Sequence, residues 1–265
     1  MTIRIGIGGW TYEPWRGTFY PEKWPQKREL DYAASHVTAI EVNGTYYGSQ
    51  KPATFASWAQ AVPDGFVFAL KASRYCTNRK VLADAGESIA KFTRQGIVEL
   101  GDRLGPILWQ FMATKKFDPD DFGAFLKLLP AKQDGLALRH ALQVRHESFA
   151  VPAFIAMCRE AGIAIVFAES EEYPAIADIT GDLVYARLEN AEEQFVAGYA
   201  PSVLDDWADK AKTWAAGGRP GGLPYVEEVA PPKQARDTFV FFINGAKVRA
   251  PHAAMALIER VGPER

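Results

Sequence analysis

The sequence predicts an α/β fold: a single (β/α)8 barrel of TIM type, parallel and eight-stranded, with room for irregular helices. Eight short apolar runs alternate with helical or loop segments along the chain. Most of these runs acquire one or two polar residues near the C-terminal end, then break into a loop. The length, 265 residues, suits a barrel of about 250 residues that folds as one domain. Residues 1–265 are therefore read as one barrel domain. A doubly wound open sheet is the alternative built from the same alternation.

The first strand, Ile3-Arg4-Ile5-Gly6-Ile7-Gly8-Gly9, alternates and ends in glycines that permit close backbone approach. The loop behind it carries Trp10, Tyr12, Trp15, Phe19 and Tyr20, and Pro14, Gly17 and Pro21 break any regular helix there. A helix over 29–36 leads to the second strand, where Ile40 and Val42 share one face and Glu41 and Asn43 the other. A helix over 52–61 stops at Pro63-Asp64-Gly65, and the third strand, 66–72, contains Lys71. The next helix, 89–104, is terminated by Gly105-Pro106 ahead of the fourth strand, 107–112, with Gln110.

Asp118 reads as an N-cap, with Pro119 in the first turn of a helix that runs to Leu129. The fifth strand, 141–145, ends in Gln143 and Arg145, and the helix 152–161 closes at Gly162. The sixth strand, 163–167, leads to Glu169. The seventh, 183–189, carries Tyr185, Arg187 and Glu189. A helix over 202–215, with Ser202 as N-cap, precedes a glycine-rich surface excursion at 217–222. The eighth strand, 238–244, ends in Asn244, and a helix over 252–260 follows.

Composition narrows the function. An apolar share of 48% with 23% charged residues supplies a large core. A net charge of −2 argues against a protein built to coat nucleic acid, while leaving room for a local basic pocket. No apolar run approaches the roughly 18 residues of a membrane span, and the chain enters its first strand without an apolar leader pattern. A cytoplasmic location is expected, with Cys76 and Cys158 as reduced thiols.

In a closed barrel, all the polar strand ends meet at one mouth. Lys71, Arg145 and Arg187 offer cations for a phosphate or carboxylate. Glu41, Glu169 and Glu189 offer carboxylates for acid/base work, provided that burial separates their pKa values. Asn43, Gln110, Gln143 and Asn244 would orient a ligand, Tyr185 joins them on the inward face, and Trp10 with Tyr12 would cover it. A hydrophobic lid packed on the barrel explains the loop aromatics equally well. Any single member of the polar set has a structural reading as a packed ion pair, but a core needs no such concentration of polar groups.

No motif requires a cofactor. The four histidines show no ligand spacing, and a hard divalent ion would have to be held by Glu41, Glu169 and Glu189. Cys76 sits among Arg74, Arg79 and Lys80, a setting that can depress a thiol pKa, although a lone cysteine is more often incidental. No nucleophile elbow, phosphate loop or dinucleotide fingerprint is present.

The motifs resemble the YecE-like family (domain of unknown function 72), whose members are TIM-barrel proteins. Gly6-x-x-Gly9-Trp10 with Phe19-Tyr20-Pro21, Glu41-x-Asn43-x-Thr45-Tyr46-Tyr47 and Phe66-x-Phe68-x-x-Lys71 carry the first half of the match. Gly105-Pro106 with Gln110, Arg145-His146, Tyr185-x-Arg187 and Phe242-x-Asn244 carry the rest. The resemblance implies a barrel and no reaction. This chain departs from it at Asn78, where a His is expected, at Gln143, where a Glu is usual, and at Glu169 and Glu189 in place of Asp and His.

The functional expectation is an enzyme of unknown reaction class working by acid/base chemistry on a small anionic or sugar-containing substrate. Glu41, Lys71 and Glu189 are the catalytic candidates, and Arg145 and Arg187 are the expected anion clamps. A non-catalytic binder of a nucleotide, a nucleic-acid end or another anionic partner is the alternative. The lack of a basic stripe argues against an extended duplex. Sequence is silent on oligomeric state.

Overall fold

The structure, a computed structural model, describes residues 2–262. Parallel strands run in the order β1 (Ile3–Gly8), β2 (Ala39–Val42), β3 (Val67–Lys71), β4 (Leu104–Gln110), β5 (His140–Gln143), β6 (Ala164–Glu169), β7 (Leu183–Leu188) and β8 (Asp237–Phe242). β8 pairs with β1 through Ile5 opposite Val240 and closes the barrel, which removes the open-sheet alternative.

The two faces of each strand meet different partners. Outward residues such as Ile7, Ile40, Phe68 and Trp109 pack under the helices in the main core. Inward residues form a second cluster of their own. In it Leu108, Leu183, Tyr185, Phe239 and Phe241 are large, whereas Ala39, Ala69, Ala141 and Ala164 are small. Bulk from β4, β7 and β8 thus fills the space that the small residues leave open. On β1, Gly6 and Gly8 face inward above Arg4, which lies opposite Phe239. A Cβ on Gly6 would lie 2.0 Å from the carbonyl oxygen of Ala39, so the pairing of β1 with β2 excludes any side chain there.

Most helices follow expectation, and the local causes are visible. Asp118 caps the helix Pro119–Leu128 by accepting from the backbone N–H groups of Asp120 and Asp121 at 3.1 Å. The helix expected over 89–104 is instead the helix Gly86–Thr93 and a tighter stretch, Ile97–Arg103, itself broken at Gly101 (φ 56°). They part at Gly96, whose φ of 105° a continuous helix cannot accommodate. Ser202 is not a cap: the helix Pro201–Ala215 starts one residue earlier, with Ala200 in the cap position. A small hairpin, Lys132–Gln133 with Leu136–Ala137, was not expected. Its turn is Asp134-Gly135, both at positive φ. Among the described residues no helix is long and apolar enough to cross a membrane.

Candidate functional site

Strand parity brings the inward polar residues of β2, β4, β5 and β7 together above the apolar layer of the barrel. Arg187 is their hub and is 2% exposed. Its Nε donates to Glu41 Oε2 at 3.0 Å and its Nη2 to Glu41 Oε1 at 3.2 Å. Nη1 donates to Gln143 Oε1 at 2.8 Å and to Glu189 Oε1 at 2.7 Å. The Tyr185 hydroxyl donates to Glu41 Oε2 at 2.8 Å. Gln110 Nε2 reaches Gln143 Oε1 at 2.7 Å.

A guanidinium has no acceptor atom, so the side-chain oxygen of Gln143 must face Arg187, and Gln110 must then present its amine. That leaves the buried Nε2 of Gln143 without a partner. A glutamate there, as is usual in the resembling family, would have no such orphan donor.

Electrostatics follow from these contacts. Burial pushes the Glu41 carboxyl up, but Arg187, Lys71 and the Tyr185 hydrogen bond more than offset it, and the net shift is down. Burial opposes the charge on Arg187 as well, yet Glu41 and Glu189 carry its pKa above the ordinary value. Burial and the neighbouring Glu41 charge push the Tyr185 phenol well up.

Above this layer opens a pocket of about 510 Å³. Lys71, Arg145, Lys247, Trp10, Asn43 and Asn244 are among the residues that line it, and the edge of Arg187 reaches it from below. Lys71 is 8% exposed, and its Nζ lies 4.4 Å from the centre of the Tyr46 ring. Among the described residues no carboxylate stands within salt-bridge distance of it. Burial brings its pKa down to about 8, with Glu41 and Glu189 opposing the shift and Arg187 and Arg145 adding to it.

Arg145 stands just beyond β5 with the Tyr173 ring 4.3 Å from its guanidinium, and its buried Nε has no hydrogen-bond partner. Burial and the nearby Arg187 charge lower its pKa. Lys247, also lowered by burial, lies 4.6 Å from the centre of the Tyr12 ring.

Lys247 was missed by sequence reasoning. The readable signal was Asn244-Gly245-Ala246-Lys247, a turn behind the last strand. Gly245 sits at φ 71°, where a Cβ would strike the backbone of Ala191, so the loops after β7 and β8 are locked together.

Two expected mouth residues lie elsewhere. Glu169 points outward, because β6 directs Ala164 and Val166 inward while Phe167 packs on Trp207 and Trp214 outside. Its Oε2 accepts from the Tyr199 hydroxyl at 2.8 Å, and burial raises its pKa. Glu169 therefore cannot join Glu41 and Glu189 around an ion. Among the described residues no cluster of three or more His, Cys, Asp or Glu side chains is placed to hold a metal.

Tyr12 does not line the pocket but packs edge-on to Trp15, supporting Lys247. Trp15, Phe19 and Tyr20 are buried as a lid on the barrel, and only Trp10, packed on Trp58, turns toward the pocket. Cys76 is fully buried, and burial raises its thiol to about 12, outweighing the nearby Arg79 charge. A larger groove of about 880 Å³, bordered by Leu126, Leu138 and Met157, sits near the opposite strand ends, away from these polar residues.

The comparisons agree with this architecture. A DUF72 family protein from Thermotoga maritima shares the fold with a TM-score of 0.75 at 21% identity, covering 97% of this chain and 98% of that one. A DUF72 family protein from Enterococcus faecalis gives 0.70 at 18% identity over 100% and 99% of the two chains. A xylose isomerase-like TIM barrel/4-hydroxyphenylpyruvate dioxygenase fusion protein gives 0.51 at 12% identity, covering 96% of this chain and 41% of that one. No curated protein matches the sequence. The family model described as protein of unknown function DUF72 matches residues 4–265, and the chain belongs to that family.

Proposed function

We propose that this barrel is an enzyme acting on a small anionic or sugar-containing substrate bound at the C-terminal mouth, with Lys71 as the group that moves a proton. One observation carries the reading. Three cationic side chains, Lys71, Arg145 and Lys247, line one pocket, while the buried acids beneath them, Glu41 and Glu189, are spent on Arg187. The pocket thus holds excess positive charge that an incoming anion would neutralise.

Arg145 and Lys247 are the anion anchors in this reading. Asn43 and Asn244 orient the ligand, and Trp10 forms a wall. Glu41, Arg187, Gln143, Gln110 and Tyr185 make a rigid floor that positions the pocket, because their polar groups are largely committed to one another. Burial brings the pKa of Lys71 to about 8, close to the working pH of acid/base chemistry. A reducing compartment such as the cytoplasm suits the two buried, unpaired thiols.

The test is a thermal-shift screen against sugar phosphates, nucleotides and small carboxylates. A ligand at 100 times its Kd should add about 2.7 kcal/mol of stability. The shift should vanish in Arg145→Gln, and a panel without hits would sink the reading. Tyr47, 66% exposed at the pocket rim, favours a second reading as a nucleotide or nucleic-acid-end binder through base stacking. Steep loss of binding between low and physiological salt would select it.

A further inference from the structure

Resting on the anionic-substrate reading, and giving Lys71 a covalent role in place of free proton transfer, we infer that its amine condenses with the carbonyl of a small phosphorylated or carboxylated aldehyde or ketone. Three features of the pocket support this beyond simple anion binding. Nζ lies 4.4 Å from the centre of the Tyr46 ring, and among the described residues it makes no hydrogen bond or ion pair. Glu41 is held on both oxygens by Arg187 and on one by Tyr185; its charge acts on Lys71 through space, without a direct ion pair between them. Arg145 and Lys247 supply charge for an anionic group in the same pocket, which leaves Lys71 for the carbon to be attacked.

Cations beside a desolvated lysine favour its neutral, nucleophilic form. With its pKa near 8, roughly a tenth of Lys71 is free amine at pH 7, about two orders of magnitude more than for an ordinary lysine. The charged and titratable groups that set this balance are Glu41 and Tyr46 from the β2 side, Arg145 beyond β5, and Arg187 and Glu189 on the β7 side. In the step itself the Nζ lone pair bonds the carbonyl carbon. The carbonyl oxygen takes the two amine protons and departs as water, which leaves a carbon–nitrogen double bond to Lys71.

The probe is glycolaldehyde phosphate with borohydride trapping and peptide mapping by mass spectrometry, and its non-carbonyl counterpart is 2-hydroxyethyl phosphate. The expected result is a single reduced adduct on Lys71, formed at least about tenfold faster than on any surface lysine. Its rate should level off above about pH 8, and 2-hydroxyethyl phosphate should suppress it. Lys71→Met and Lys71→Gln should both fold and lose the adduct.

Adducts on Lys247 or scattered over the surface, with 2-hydroxyethyl phosphate still raising Tm, would overturn the amine assignment and leave the anion pocket standing. No adduct and no Tm shift from either compound would overturn both.

Discussion

Arg187 on β7 grips Glu41 on β2 across the barrel with two prongs, at 3.0 and 3.2 Å, between side chains 2% and 0% exposed and 146 residues apart in sequence. A buried pair of this kind contributes little net stability when intact, because desolvation offsets the Coulomb gain, but it is costly to break. Arg187→Ala should therefore lose about 3–5 kcal/mol, since it strands the charges of Glu41 and Glu189. Adding Glu41→Gln should recover about 0.5–3 kcal/mol of that in a double-mutant cycle read by denaturant unfolding. Strict additivity would show that the pair is not coupled.

Acid should act through the same contact. Glu41 has a folded pKa below its ordinary 4.5, so its contribution is fully present above that value and is lost as pH falls through the lower folded one. The acid limb of the stability curve should flatten in Glu41→Gln relative to the parent. An unchanged limb would count against a lowered Glu41.

Lys71 should show the opposite side of linkage. Its folded pKa, about 8, lies below the ordinary 10.5, so the unfolded chain binds more protons between those values and stability rises with pH across that window. At pH 7 the full cost of burying the charge is present, and Lys71→Met should stabilise by about 1–3 kcal/mol. The advantage should shrink toward pH 10, as measured by unfolding at each pH. A variant less stable than the parent at pH 7 would mean that the ammonium is well accommodated.

Neither thiol should react in the native state. Cys76 and Cys158 are both fully buried, and burial raises both pKa values. A thiol reagent at pH 8 should therefore label nothing in the folded protein and two groups after denaturation. Fast native labelling of one thiol would contradict the packing around it.

Gly6→Ala should be severe for a small change. Its Cβ would lie 2.0 Å from the Ala39 oxygen, and neither backbone can retreat without breaking the β1–β2 ladder, so a loss of about 2 kcal/mol or more is expected. Gly221→Ala, where nothing lies within 4 Å, is the control and should be nearly silent.

The eight strands and the polar residues at their ends were legible because both are local. Alternation of period two and breaks at glycine or proline act within a few residues, and Asp118 caps its helix through contacts confined to residues 118–121. Parity also assigned Glu41, Gln143, Tyr185 and Arg187 to the inner face, since their strand neighbours are plainly apolar on the other side.

Where that contrast failed, so did the reading. β6 is apolar on both faces, and only the packing of Phe167 against Trp207 and Trp214 turns Glu169 outward. The sequence by itself determined a barrel with a polar mouth. Tertiary structure decided which charges there are consumed and which stay available. Arg187, expected as a clamp, is committed to acids from two strands, and Lys247, unread in a loop, is set over the mouth by the locked turns after β7 and β8. The reason is that pairing between side chains far apart in sequence depends on strand order and register, which no local pattern encodes.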